Sequence, residues 1–497
     1  MAGRKQSPYM LALPGLRGRP GEESLYRAMR ESILDGRLAA GTQVPSTRDL
    51  AQQYGVARGT AVAAYDQLIA KGYLEGRHGA GTFVRHVLPD AYLRAAQDSA
   101  RRHKGKFDRG GEGVAFSERS ASLRDSPFNL RPDPPGVPFA FQRPDLRAFP
   151  RELWSRLASR RARALSIAEL GGFDLAGYAP LRRAIADYLG AIRGVACAPE
   201  QVLMLPSVQF GLYLVCELLL ERGDVAWIED PGYRGAVAVM RAAGVHLVPI
   251  PVDNDGFDIA HALASARPAR LAYLTPAHQA PLGVALDLAR RLTLLDWAYC
   301  TNSWIFEDDY DSEYRYAGKP LAAMQTLDEH GRVIYAGCFT KTLFPALRIA
   351  YLVLLPALID AFIAARSVLI RYPPIADQLV LADFIAEGHY ARHLRRMREI
   401  YAERRAALVG AIDTELGTHV QVIGNATGLD LTCRLAKGLS EPDIVAAATG
   451  RGLLLRALSQ TYLTARDAGL VLGFSSVPPA RIRAGVQTLA RIIGRQH

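Results

Sequence analysis

A chain of 497 residues is too long for one hydrophobic core, so two or three domains are expected. Its 49% apolar and 22% charged content excludes a largely disordered chain, and its most apolar run, residues 349–365, is broken by Pro356 and Asp360 and closed by Arg366, which excludes a membrane span there. The formal charge of +11 suits a polyanionic partner, and five scattered cysteines (Cys197, Cys216, Cys300, Cys338, Cys433) without metal-like spacing read as reduced thiols of a cytoplasmic protein with no metal site.

Arg4, Lys5, Arg17 and Arg19 near the start have no apolar run behind them, so no signal peptide is expected. Residues 24–84 then read as three short helices and a hairpin. Leu25, Met29, Ile33 and Leu34 recur at helical spacing, and Gly36 ends that helix. Pro45, Ser46 and Thr47 open a second, with Leu50, Ala51 and Tyr54 inside. Gly55 and Val56 make a turn, and residues 60–70 form a third helix around Val62, Tyr65, Leu68 and Ile69. Residues 72–75 and 82–84, joined by the tip GRHGAG, are the strands of a wing. Two helices across a short glycine-containing turn read as a helix-turn-helix.

The stretch ILDGRLAAGTQVPSTRDLAQQYGVARGTAVAAYDQLIAKGYLEGRHGAGTFV resembles the winged helix of GntR-type regulators, with Ala57 where that family often has Ser and Ala61 where it usually has Val. The resemblance implies double-stranded DNA as partner. It places Arg58, Gly59 and Thr60 at the helix end that enters the major groove, and Arg48, Arg77 and His78 on phosphates or the minor groove.

Residues 85–127 carry nine Lys or Arg against six Asp or Glu, a net of +3, and suit a basic linker. A helix over residues 91–102 and a flexible tether are expected; the charge serves equally to attract DNA or to keep the linker soluble. From residue 128 to 497, apolar strands (226–229, 245–249, 271–275, 304–308, 333–337) alternate with helical segments. That alternation argues an α/β domain with a mostly parallel sheet, whose ligands bind beyond the strands' carboxyl ends. From about residue 372 a long helix and a small α+β subdomain follow, ending in a helix over residues 479–491.

The chemistry gathers at those strand ends. The strand 202–205 runs through Pro206, Ser207, Val208 and Gln209 into an apolar helix at 210–221, a turn that presents backbone N–H groups to phosphate. Residues 271–275 lead to Pro276, His278, Gln279, Pro281 and Gly283. Residues 304–311 run into an acidic cluster in which Asp308 and Tyr310, two apart, share a face. The strand ending at Gly337 is followed by Phe339, Thr340 and Lys341, with Arg348 seven residues on. A lysine beyond a buried strand is costly unless paired or neutralised, and a desolvated lysine with a lowered pKa condenses with an aldehyde to a Schiff base. A pyridoxal phosphate site also needs a carboxylate for the ring nitrogen, a phosphate cradle and hydroxyl partners.

Residues 128–497 resemble the fold-type I aminotransferases in the branch found in MocR-type transcriptional regulators, through the blocks GYAPLRR, EDPGY, TPAHQAPLG, EDDYDSEYRY and FTKTLFPALR. The resemblance implies pyridoxal phosphate on Lys341, with Thr340 beside it, Arg348 on the phosphate, Asp308 on the pyridinium and Tyr310 on the ring hydroxyl. It also implies Ser207, Val208 and Gln209 near the phosphate, Tyr233 and His278 near the ring, and a homodimer. The chain departs from working transaminases at several places. Val471 stands where an arginine would clamp the substrate carboxylate, Ala280 where Asn is common, Cys338 where a hydroxyl is usual, and Asp430 where His is frequent in the MocR-type branch. Arg234, Arg456 or Arg466 could supply the missing cation. The expected function is a DNA-binding regulator of vitamin B6, amino-acid or amine metabolism, with pyridoxal phosphate either as the effector itself or as the group that binds an amino-acid or amine effector, without efficient turnover and with no catalytic residue assigned. The alternative is an active aminotransferase carrying a DNA-binding domain.

Overall fold

The computed structural model describes residues 11–13, 16, 19–77, 79–86, 116–117, 121–124, 134, 136–172, 174–264, 267–318, 321–371, 373–424, 427–464 and 467–495. His78, Arg466 and the expected helix at 91–102 lie outside the described residues. The chain divides into two compact units, Met1–Ala115 and Phe116–His497.

Among its described residues the first unit has three helices, α1 (Glu22–Leu34), α2 (Thr47–Tyr54) and α3 (Arg58–Ala70). Strand β1 (Gln43–Val44) and the wing hairpin β2 (Leu74–Arg77) and β3 (Gly81–Val84) form a small antiparallel sheet in the order β1–β3–β2. Leu25, Met29, Leu50, Ala61, Leu68, Leu74 and Val84 close its core. Ser46 caps α2, its Oγ accepting from the Asp49 N–H at 3.2 Å. Gly55 ends α2 in the left-handed region at φ 64°, which a side chain resists, so the turn into α3 needs this glycine. Helix α3 begins at Arg58, two residues earlier than its apolar pattern suggests, with Ala57 at the cap position and no side-chain cap.

The second unit is built on an eight-stranded sheet. Its strands are β4 (Val202–Leu205), β5 (Val225–Asp230), β6 (His246–Asp253), β7 (Gly256–Phe257), β8 (Leu271–Leu274), β9 (Trp304–Asp309), β10 (Val333–Cys338) and β11 (Ala350–Val353). The order is β4–β11–β10–β9–β8–β5–β6–β7, and only β11 and β7 run antiparallel to their neighbours. Strand alternation feeds two cores. Ala226 and Ile228 of β5 pack with Leu212, Val215, Val237 and Met240 of the helices Val208–Leu219 and Arg234–Ala242. Trp227, between them, packs on the opposite face with Leu294 and Trp297 of the helix Leu288–Cys300. The helix after β4 starts at Val208 rather than 210, because Ser207 caps it through the Phe210 N–H at 3.1 Å.

A second sheet of four antiparallel strands, β12 (Val420–Ile423), β13 (Asp430–Leu435), β14 (Arg456–Ala457) and β15 (Gly469–Gly473), has the order β12–β13–β15–β14. Leu431, Cys433, Leu470 and Leu472 face the long helix His389–Glu415 and the helix Pro479–Ile493. Val471 faces the other way, onto Leu282 and Val284.

Candidate functional site

Parallel strands bring their carboxyl ends to one edge of the sheet, and a cavity of about 210 Å³ opens there. Ser207, Val208 and Gln209 enter it from the end of β4, and Tyr233 from the turn after β5. Tyr273 and Thr275 come from β8, Asp308 and Tyr310 from β9, and Cys338, Thr340, Lys341 and Arg348 from β10 and the turns behind it. Nine of the ten residues expected around the cofactor therefore line one space, counted as these named residues less Tyr273, Thr275 and Cys338. The tenth, His278, stands one layer behind that space, against the lining Tyr310. It is not a lining residue; its ring stacks on Tyr310 at 5.7 Å and its Nδ1 lies 3.1 Å from the Tyr310 hydroxyl. The loop after β8 also brings His278 Nδ1 to Asp311, at 2.7 Å. Burial opposes its charge, yet Asp311 raises its pKa.

Lys341 is half-buried, and its Nζ donates to the Gln142 carbonyl at 3.2 Å. Desolvation lowers its pKa, against the pull of Cys338, Asp430 and Asp311. Asp308 is 6% exposed and takes the Tyr273 hydroxyl on Oδ2 at 2.5 Å, while Oδ1 has no partner among the described residues. Burial pushes its carboxyl up to about 7, the neighbouring Asp309 and Asp311 adding to the shift and Tyr273 opposing it. An orphaned, desolvated carboxylate oxygen asks for a cationic N–H, which a protonated pyridine supplies. Burial also drives the phenols of Tyr273 and Tyr310 well above their ordinary value, so both are neutral donors.

Arg348 follows the turn Pro345–Leu347 in the left-handed region at φ 51°, and Gln142 sits there too at φ 49°. Such conformations cost about 1–3 kcal/mol in a residue with a side chain, and both lie at the cavity wall. The Thr340 hydroxyl lies 3.1 Å from Cys338 Sγ.

Sequence reasoning missed Tyr273, Thr275 and Gln142. Tyr273 had a signal, since a phenol in the apolar run Leu271–Leu274 must find a polar partner. Gln142 had none. Asp430 holds it, accepting from its N–H at 2.8 Å across 288 residues of sequence. Gly473 lets that segment approach, because a Cβ there would lie 2.0 Å from the Ala140 carbonyl oxygen. The departure at Asp430 thus positions the carbonyl that Lys341 touches.

In the first unit Arg48, Arg58, Gly59 and Arg77 are exposed and Thr60 is half-buried. Arg77 is engaged, donating to Glu75 at 2.8 Å and lying 4.7 Å from the Phe83 ring centre.

Residues 22–84 match the family model for bacterial regulatory proteins of the gntR family, and residues 158–461 that for aminotransferase class I and II. The chain is 40% identical over 473 residues to the probable rhizopine catabolism regulatory protein MocR of Rhizobium meliloti, covering 95% of this chain and 93% of that one. It is 31% identical over 487 residues to the HTH-type transcriptional regulator TauR of Rhodobacter capsulatus, covering 95% and 97%. Among solved structures it is similar to LysN, the alpha-aminoadipate aminotransferase of Thermus thermophilus, complexed with N-(5'-phosphopyridoxyl)-L-leucine. That match has a TM-score of 0.67 at 26% identity and covers 73% of this chain and 92% of that one.

Proposed function

Because this chain belongs to the MocR-type regulators, a GntR-type winged helix followed by an aminotransferase class I and II domain, we propose that it is a cytoplasmic, homodimeric transcription regulator that senses an amino acid or amine through pyridoxal phosphate on Lys341. The observation that carries this reading is the unpartnered Oδ1 of buried Asp308 in the same cavity as Lys341 and Arg348. Pyridoxal phosphate would supply an electrophilic carbon for amines and a ring that withdraws electrons. Lys341, its ammonium disfavoured by burial, can shed its proton and act as the nucleophile. Asp308 would hold the ring nitrogen protonated, and Tyr310 would donate to the ring oxygen. Ser207 accepts from Phe210, which leaves its hydroxyl hydrogen for the phosphate, with Arg348 as the charge partner.

Efficient transamination is not expected, since Val471 lies buried against Leu282 and Val284 where a clamping arginine would be needed. The likeness to an aminotransferase supports the second reading, an active enzyme that carries a DNA-binding domain. One experiment separates them. Cofactor-loaded protein should show a visible band that borohydride fixes onto Lys341 and that amines shift without keto-acid product. Multiple turnovers at about 1 per second or faster would overturn the sensor reading. A Lys341→Ala chain that kept a covalently fixed cofactor would overturn the assignment of Lys341.

A further inference from the structure

Behind Tyr310 stands a buried pair, His278 and Asp311, that none of the proposed cofactor contacts uses. His278 offers one nitrogen to two neighbours: its Nδ1 lies 2.7 Å from Asp311 Oδ1 and 3.1 Å from the Tyr310 hydroxyl. Both side chains are buried, and Asp311 Oδ2 has no partner among the described residues. Gly428, just before β13, closes the group at φ 73°; a Cβ there would lie 2.0 Å from His278 Cε1 and 2.7 Å from Asp311 Oδ2. A ring nitrogen has one place, for a hydrogen or for a lone pair. A carboxylate only accepts, so the nitrogen at Asp311 carries the hydrogen, whether the imidazole is neutral or charged. Burial opposes the charged form and Asp311 favours it, with Asp430 and Asp309 adding less. In both forms Nδ1 accepts nothing. The Tyr310 hydrogen therefore has no acceptor at His278, and Tyr310, a neutral phenol on the cavity wall, keeps it for the cavity.

We infer that Asp311 and His278 form a relay that aims the Tyr310 hydroxyl hydrogen at the cofactor's ring oxygen, by holding the nearby nitrogen in the state that cannot accept it. This rests on the cofactor site proposed above and makes His278 and Asp311 positioning residues. A carboxylate fixes the tautomer of a histidine for a hydroxyl partner in nucleophilic sites too; here the hydroxyl is turned outward rather than deprotonated. A hydrogen bond from Tyr310 to the ring oxygen lowers the hold that this oxygen and the Lys341 nitrogen share on a proton. The pH midpoint of the visible band reads that hold.

The test is a pH titration of the visible band of cofactor-loaded full-length protein. Tyr310→Phe should raise the midpoint by roughly one pH unit, the worth of one hydrogen bond. In Asp311→Asn the new amide donates to Nδ1, which then holds a lone pair and draws the Tyr310 hydrogen away, so the midpoint should rise toward that of Tyr310→Phe. The double variant should rise no further than Tyr310→Phe alone, and Asp311→Glu, which keeps the acceptor, should stay near wild type. Loss of a negative charge by itself would ease loss of the proton and lower the midpoint, so the sign separates the relay from plain electrostatics. An unchanged or lowered midpoint in Asp311→Asn, or additive shifts in the double variant, would overturn the relay and leave the regulator reading intact. Nitrogen-15 spectra of histidine-labelled wild type, with His278→Gln to assign the signal, ask the same question without altering Asp311. Nδ1 should carry hydrogen across the titration, and a bare Nδ1 would overturn the relay. An unmoved midpoint in Tyr310→Phe would remove Tyr310 from the ring oxygen and the relay with it. A wild-type chain that takes up no cofactor would defeat both the relay and the proposed site.

Discussion

Asp308 carries a stability cost that comes from its burial. Its folded-state pKa of about 7 stands well above the ordinary aspartate value, with burial the largest cause. A carboxyl raised in this way contributes stability that is fully present below the unfolded pKa and is lost as pH rises through the folded one. The cofactor-free protein should therefore weaken between about pH 4 and pH 7. Glu229 and Glu307, both buried and also raised to about 7 by desolvation, add to that slope. Asp308→Asn removes one of these titrations. The cofactor-free variant should be more stable than its parent by about 1–3 kcal/mol at pH 8, the difference vanishing toward pH 4. Its hold on pyridoxal phosphate should weaken at the same time, the usual exchange between stability and function. Denaturant unfolding at several pH values checks this, and equal stability at pH 8 would show that Asp308 is not desolvated.

At the scale of elements, the helix pair α2 and α3 is where local sequence and structure agree most closely. Ser46 and Gly55 are legible as cap and turn, and both hold those places. The start of α3 is the less legible end, because Ala57 offers no capping side chain to mark it. Arg48 and Arg58 sit in the first turns of α2 and α3, and Arg77 on the wing. Changing all three to Ala should weaken binding to the cognate promoter by roughly 1–3 kcal/mol for each side chain that reads a base. It should also flatten the salt dependence by about one counterion for each side chain that neutralises a phosphate. Anisotropy titrations at two salt concentrations measure both, with circular dichroism as the control, since Arg77 also packs on Phe83. Unchanged affinity would remove these residues from the DNA surface. The visible band should not move.

For the whole molecule, two compact units with separate cores imply two unfolding events. We propose that residues 1–84 and 128–497 act as the separate domains, joined by 85–127. Pyridoxal phosphate should raise only one transition in a calorimetric scan of the full chain, by about 3 kcal/mol of stability at a hundredfold excess over Kd. A single transition, or a shift of both, would mean that the units fold as one. Among the described residues no helix is long and apolar enough to cross a membrane.

What the sequence alone determined was carried by local periodicity and residue chemistry. Apolar strands alternating with helices specified the sheet. The lysine after one strand, the aspartate on another and the capped helix after a third specified the cavity, because strands running the same way must end at the same edge. Tertiary structure decided what depends on pairing between distant segments. Gln142 reached Lys341 through Asp430 and the space beside Gly473. His278 came to stand between Tyr310 and Asp311. Arg456 came to stand beside Val471 because β14 and β15 pair in one register out of several that their short apolar runs would allow. Register is set by the two faces of the sheet and what each must bury, and no single strand carries that information by itself.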